Sequence, residues 1–320
     1  MYSEDYREIK KVFYQWIKAW EENRISDMEK CCTTDLISYI SMFEPSHSWE
    51  EVKPYFIECV SDKTDNWFEI LSYAALVEEG TAQQSANLLA LKAVHSNGKM
   101  SCFQFSGLFC NSYKKTESGW KISECRFDLF RESGDMSLAP EWNHVNHTIG
   151  WFEGIRLPVI LGELDAPWIK IQRRDSVGTD EEQIEEAFYR YAFALDTCCF
   201  SLMKDVLDDE IRVVMPPFGT VEKPMNKRSF MTSLLTHRHT ERFMQHTGEF
   251  IRIQTDENKR EAEVLFYRKG DSGIEPVPVP EDNIRAKIAT AEYQMKMRKD
   301  KEGNWRIKEL IYEGKSFYYE

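Results

Sequence analysis

Tyr191, Asp196 and His246 carry a phenol, a carboxylate and an imidazole. A histidine near its ordinary pKa accepts a proton at neutral pH, and a carboxylate can hold its ring and stabilise its charged form. A tyrosine hydroxyl can hydrogen-bond a substrate oxygen as charge builds there. Such groups suit proton abstraction beside a carbonyl, followed by loss of water or a shift of a double bond. Neither step requires a metal or a redox cofactor. Each residue also has a plain structural reading. Tyr191 lies on the apolar stripe of a predicted helix and fits a core position. Asp196 follows five residues on, about 140° round the helix, so spacing alone does not bring the two together. It fits a cap or turn residue. His246 falls in a predicted strand whose alternation is muddled, with Met244, Gly248, Phe250 and Arg252 at its parity. It fits a satisfied core histidine.

Other chemistry-bearing residues are less organised. His237-Arg238-His239 and His144–His147 each offer two imidazoles without an evident third or fourth ligand, so no metal site is expected. The eight cysteines form no C-x-x-C pair. They read as reduced, mostly buried thiols of a cytoplasmic protein. Glycine-rich phosphate loops and nucleophile elbows are absent.

The elements that must position the trio begin at Asp180. Asp180 fits a helix cap with Gln183 three residues on. Ile184, Phe188, Tyr191 and Leu195 then follow at helical spacing. A short second helix carries Leu202, Met203, Val206 and Leu207. A β-rich run through Ile211, Val213, Val214 and Met215 is stopped by Pro216-Pro217.

This stretch occurs twice. Residues 5–43 lie on 180–218 with no gap, at a shift of 175. Asp5, Ile9, Phe13, Tyr14, Ala19, Ser26, Met28 and Phe43 match Asp180, Ile184, Phe188, Tyr189, Ala194, Ser201, Met203 and Phe218. Both copies close alike, Gly119-Trp120-Lys121-Ile122-Ser123-Glu124 against Asn304-Trp305-Arg306-Ile307-Lys308-Glu309. Repeats of this length are two domains rather than a solenoid, whose units run to about 20–50 residues. The 320-residue length agrees, at about 150 residues per domain.

The first copy reads as a helix over Tyr6–Trp20 and a second helix capped at Ser48. Strands follow near Phe68–Val77, Ala86–His95, Ser101–Tyr113 and Trp120–Phe130, with a turn at Ser96-Asn97-Gly98. The second copy repeats the plan, with a helix near Lys227–Leu235. Its strands lie near Phe243–Gln254, Ala262–Arg268 and Arg285–Arg298, and a closing strand starts at Trp305. Helices first and a meander of strands after is the α+β layout of a curved sheet packed on helices. Residues 1–135 and 179–320 are the expected domains. Residues 136–178 form a connecting segment too rich in Trp and Ile to be disordered, expected to run along one or both domains. The loop from Gly270 to Pro280 is either an extended solvent loop or a lid.

A formal charge of −13 argues against nucleic acid or an anionic membrane as partner. Tyr2 to Lys11 is charged and amphipathic rather than a signal peptide, and no run approaches the length of a spanning helix.

The layout resembles the nuclear-transport-factor-2-like (NTF2-like) superfamily, in its SnoaL-like, dehydratase-like branch. Phe188-Tyr-Arg-Tyr-Ala-Phe-Ala-Leu-Asp196, Leu207-Asp-Asp209 before a strand, His246 and Trp305-Arg-Ile-Lys-Glu309 carry the resemblance. It covers nearly all of 180–320 and, more weakly, 5–130. It implies two tandem cone-shaped domains, each a curved, mostly antiparallel sheet packed on N-terminal helices around a pocket. It also implies pairing through the sheets, as an internal pseudo-dimer or a homo-oligomer. In dehydratase-like members a Tyr, an Asp and a His project into the pocket, and Tyr191, Asp196 and His246 fill those places. On this resemblance His246 is the general base or acid, Asp196 orients it and Tyr191 donates a hydrogen bond. Val214, Met215, Phe218, Phe250 and Tyr293 are candidates for the apolar wall. The register places Trp16 and Glu21 at the Tyr and Asp positions of the first copy, and its His position falls near Ile70, with no His close by. The resemblance implies a cofactor-independent lyase (dehydratase) or isomerase for a hydrophobic, oxygenated small molecule. The alternative is a non-catalytic ligand-binding or protein-assembly module.

Overall fold

The computed structural model describes residues 3–41, 43–61, 63–96, 99–142, 158–238, 245–270, 276–278 and 284–318. The turn residues Asn97 and Gly98, the His144–His147 pair, His239 and most of the Gly270–Pro280 loop lie outside the described residues. The chain divides into two compact units, 2–176 with 274–286, and 177–273 with 287–319.

The first unit opens with α1 (Glu4–Glu21), whose Ser3 cap accepts the N–H of Tyr6. Ile9, Phe13, Trp16 and Trp20 form its buried stripe, the apolar face that a helix of this period turns to a core. Then come α2 (Ile25–Glu29), β1 (Cys32–Ile40), α3 (Trp49–Cys59), β2 (Asp65–Glu78), β3 (Thr81–Ser96), β4 (Lys99–Thr116) and β5 (Gly119–Gly134). The sheet order is β1-β5-β4-β3-β2, with β1 parallel to β5 and the other neighbours antiparallel.

The interior of this unit is filled with rings. Trp20 packs on Phe68, Phe56 and Trp142 at centroid distances of 4.7, 5.1 and 5.4 Å. Trp142, delivered by the chain after β5, donates its indole N–H to the Tyr55 carbonyl at 2.9 Å. The described end of the connecting segment lies on the outer side of the same sheet. There Asp128 accepts the backbone N–H groups of Val159 and Ile160 at 3.0 and 2.9 Å. Two short helices, α4 (Gly162–Asp165) and α5 (Pro167–Lys170), follow, with Trp168 buried.

The second unit repeats the order: α6 (Asp180–Asp196), α7 (Phe200–Val206), β6 (Leu207–Val214), α8 (Lys227–Arg238), β7 (Gly248–Thr255), β8 (Glu261–Gly270), β10 (Ile284–Lys299) and β11 (Trp305–Tyr318), while β9 (Pro276–Pro278) and the first residues of β10, up to Ala286, are grouped with the first unit. Its sheet order, β6-β11-β10-β8-β7, matches the first strand for strand, and β6 again runs parallel to β11. The short β9 pairs with the start of β10. Each unit is the α+β arrangement expected, helices first and one mostly antiparallel sheet after.

The repeated Asp and Trp have a shared function in the fold. Trp120 donates its indole N–H to Asp5 at 2.8 Å, and Trp305 donates to Asp180 at 3.1 Å. Each bond ties the last strand to the start of the first helix. A lysine, Lys115 or Lys299, pairs with the same carboxylate.

One boundary differs from the expected one. The cap of α6 is Thr179, not Asp180. Thr179 and Glu182 form the reciprocal capping box, and Asp180 is the first helical residue, its side chain engaged by Trp305. Among the described residues no helix is long and apolar enough to cross a membrane.

Candidate active site

Helix α6 is capped and acidic at its N-terminus, which suits the positive end of its dipole. It presents Ile184, Phe188 and Tyr191 inward. Asp196 is its last residue, and Thr197 supplies the C-cap. The Asp196 side chain is fully enclosed and does not cap the helix. It reaches the segment before β7, where it accepts the backbone N–H of His246 at 2.9 Å. It also meets the imidazole, Nδ1 to Oδ1, at 2.7 Å. The His246 side chain is 10% exposed.

His246 sits just before β7 rather than within a strand beginning at Phe243, because pairing with β8 starts at Gly248. Strand alternation therefore does not govern where its ring points; the Asp196 bonds do. Gly248 is required by close approach. A Cβ there would stand 2.0 Å from the Tyr267 carbonyl oxygen and 2.8 Å from the Arg268 Cα.

Tyr191 is completely buried, its ring 5.6 Å from Phe188. Phe188 also meets Phe250, Phe266 and Tyr293 at 5.8, 4.1 and 5.6 Å. Two of the expected wall residues, Phe250 and Tyr293, thus belong to one ring cluster with the helix that carries Tyr191. Val214 is buried at the end of β6, and Met215 pairs with Gly219 in a tight turn. Phe218 lies on that turn at 51% exposure, so it stands on the surface rather than in an enclosed wall. The cis Pro216–Pro217 bond lies in the same turn.

The chemistry open to this arrangement follows from the pair. An ionised carboxylate on Nδ1 favours the tautomer with its proton there and leaves Nε2 as the basic nitrogen. The same carboxylate stabilises the imidazolium once a proton has been taken. Among the described residues no three His, Cys, Asp or Glu side chains are grouped to hold a metal ion.

Residues 177–311 match the profile of the SnoaL-like domain family. The second unit is a SnoaL-like domain. No curated protein sequence matches this one significantly. Solved structures with a similar fold include a candidate aromatic ring hydroxylase from Novosphingobium aromaticivorans, at 18% identity and a TM-score of 0.37 over 42% of this chain and 96% of that one. Kfla4162 of Kribbella flavida has 14% identity and a TM-score of 0.38, over 42% and 97%. A ketosteroid isomerase-like protein of Erwinia carotovora has 14% identity and a TM-score of 0.33, over 41% and 99%.

Beside the pair, the SnoaL-like domain holds a residue that the sequence reading left unassigned. Arg268 is 5% exposed on β8 and donates its Nε–H to the carbonyl of Gln245, the residue before His246, at 2.7 Å. The signal was present in the strand itself. Ala262, Val264 and Phe266 occupy the buried parity of β8, and the next place on that face is a guanidinium.

The first unit keeps the frame of this site without its chemistry. Glu21, at the register position of Asp196, accepts the backbone N–H of Phe68 at 3.0 Å. The residue in His246's place by this bond is Phe68, two before Ile70, and no histidine stands there. Its ring packs on Trp20. Trp16 stands at the Tyr191 position, 1% exposed among rings.

Proposed function

We propose that the SnoaL-like domain is a cofactor-independent lyase (dehydratase) or isomerase acting on a hydrophobic, oxygenated small molecule. The carrying observation is the 2.7 Å contact between His246 Nδ1 and the enclosed Asp196 carboxylate. In this reading His246 Nε2 takes a proton from the carbon beside a carbonyl, and Asp196 holds the resulting imidazolium. Tyr191 donates a hydrogen bond to the oxygen on which charge builds. The proton then passes from the imidazolium to a leaving hydroxyl, releasing water, or returns to another carbon, shifting the double bond. Val214, Met215, Phe250 and Tyr293 supply apolar surface for the substrate.

The test is turnover of a panel of β-hydroxy ketones and β,γ-unsaturated ketones, followed by the absorbance of the conjugated product. His246→Ala is expected to reduce the rate by about 10²–10⁴, the range for a positioned acid or base, with the fold intact by circular dichroism. A fully active variant removes the reading. For the first unit, the Phe68 ring in the place of His246 favours the second reading, a non-catalytic assembly or scaffold domain.

A further inference from the structure

Strand β8 lays its inward residues against those of β10. Ala262 faces Met297, Val264 faces Met295, Phe266 faces Tyr293 and Arg268 faces Ala291. The first three pairs are buried apolar core. Arg268 stands one step beyond the Phe266–Tyr293 rings on the same face, with only the methyl group of Ala291 opposite. A guanidinium keeps its charge under all ordinary conditions. Here it is enclosed, and its one bond among the described residues is from Nε to the Gln245 carbonyl. Its Nη2 is buried with no hydrogen-bond partner, and Arg268 has no carboxylate partner among the described residues.

An enclosed charge without a counter-ion is costly, and a protein that keeps one needs a reason for it. The position supplies the reason. Gln245, which holds Nε, is followed at once by His246, held by Asp196. Gly248 registers opposite Arg268, and Lys269 N–H bonds the Thr247 carbonyl at 2.8 Å. Guanidinium and imidazole are thus fixed to neighbouring residues of one short segment. The ligand chemistry that fits an unpaired guanidinium edge is a planar carboxylate, which can take two parallel N–H bonds.

We propose that Arg268 anchors a carboxylate carried by the substrate beside its reacting carbonyl, so that the SnoaL-like domain prefers oxygenated hydrophobic molecules bearing a carboxylic acid over their neutral counterparts. The assignment rests on the acid–base reading of His246 for its place in a reaction, but the anchor is tested by binding alone. The probes are cinnamate and octanoate, each against its own primary amide, by titration calorimetry and thermal melting. At least one acid is expected to bind, with its amide weaker by about tenfold or more, as for a hydrogen bond to a charged group. Arg268→Met is expected to lose the acid by a similar factor. Without ligand it should melt no lower than wild type, because a buried charge has been replaced by an apolar side chain of similar length. A merely structural arginine would show the reverse. Arg268→Lys keeps the charge without the planar fork and should bind the acid more weakly than wild type.

Failure of both acids to bind overturns the anchor. So does equal binding of acid and amide, unchanged affinity in Arg268→Met, or a large loss of stability in that variant. His246→Ala separates the two proposals. Unimpaired turnover in that variant, together with Arg268-dependent acid binding, removes the acid–base reading and keeps the anchor. Lost turnover with acid affinity indifferent to Arg268 does the opposite.

Discussion

Asp196 holds His246 at two points, the ring Nδ1 at 2.7 Å and the backbone N–H at 2.9 Å. One carboxylate therefore sets both the orientation of the imidazole and the course of the chain entering β7.

The two tasks come apart in Asp196→Asn. The amide oxygen can still accept the backbone N–H, so the entry to β7 should persist, but a neutral amide cannot stabilise an imidazolium. Turnover is expected to fall sharply, with a loss of about 1–3 kcal/mol in urea unfolding from the weakened buried bonds. Asp196→Ala, which orphans both groups on His246, should lose more stability than the Asn variant. Equal activity in wild type and Asp196→Asn would sink the orienting role.

Gly248 is the point at which β7 comes too close to β8 for a side chain. A Cβ there meets the Tyr267 carbonyl oxygen at 2.0 Å, backbone that cannot rotate aside. Gly248→Ala is expected to cost about 1–3 kcal/mol, as overpacking does. It should also lower turnover by shifting the segment that carries His246. Chemical denaturation and the same dehydration assay read the two effects. A variant as stable as wild type would show that the strands part there without cost.

The Asp180 carboxyl is held below its ordinary value by its hydrogen bond to the Lys299 ammonium, with the Trp305 indole N–H adding in the same direction against the opposing effect of burial. The unfolded chain binds this proton more readily than the folded one. The stability Asp180 contributes is therefore complete above the ordinary carboxylate value of about 4 and is lost as pH falls through the lower folded value. Asp180→Asn should lower the urea midpoint relative to wild type at about pH 7, with the gap narrowing towards about pH 3. A gap that stays constant with pH would assign the loss to shape rather than charge.

Much of the scaffold is legible in the residues. The gap-free repeat announces both α1 and α6, and the matched Asp and Trp of each copy are the two ends of one hydrogen bond. The Asp196–His246 contact is not legible from spacing. The two residues lie fifty positions apart, and nothing in helical or strand periodicity joins them. Only the likeness to a known family pairs them. Apolar residues flanking His246 predict a strand through it, yet pairing begins only at Gly248. Phe218, an aromatic residue just after a strand, fits a wall by sequence, but a turn opened by two prolines carries it to the surface. Arg268 is legible as a charge at a buried parity, but the apolar strand around it satisfies the pattern without it.

The aromatic filling of the first unit has a spectroscopic consequence. Of nine tryptophans, all but Trp305 precede residue 177, and Trp16, Trp20 and Trp142 are among its most enclosed side chains. The intrinsic emission of the protein is thus a signal from one half. Denaturation followed by tryptophan fluorescence will trace the melting of that ring-packed interior, while events at His246 pass nearly unseen. Energy transfer, a fluorinated tyrosine at Tyr191 or a tryptophan introduced beside β7 would be needed to make the other half visible.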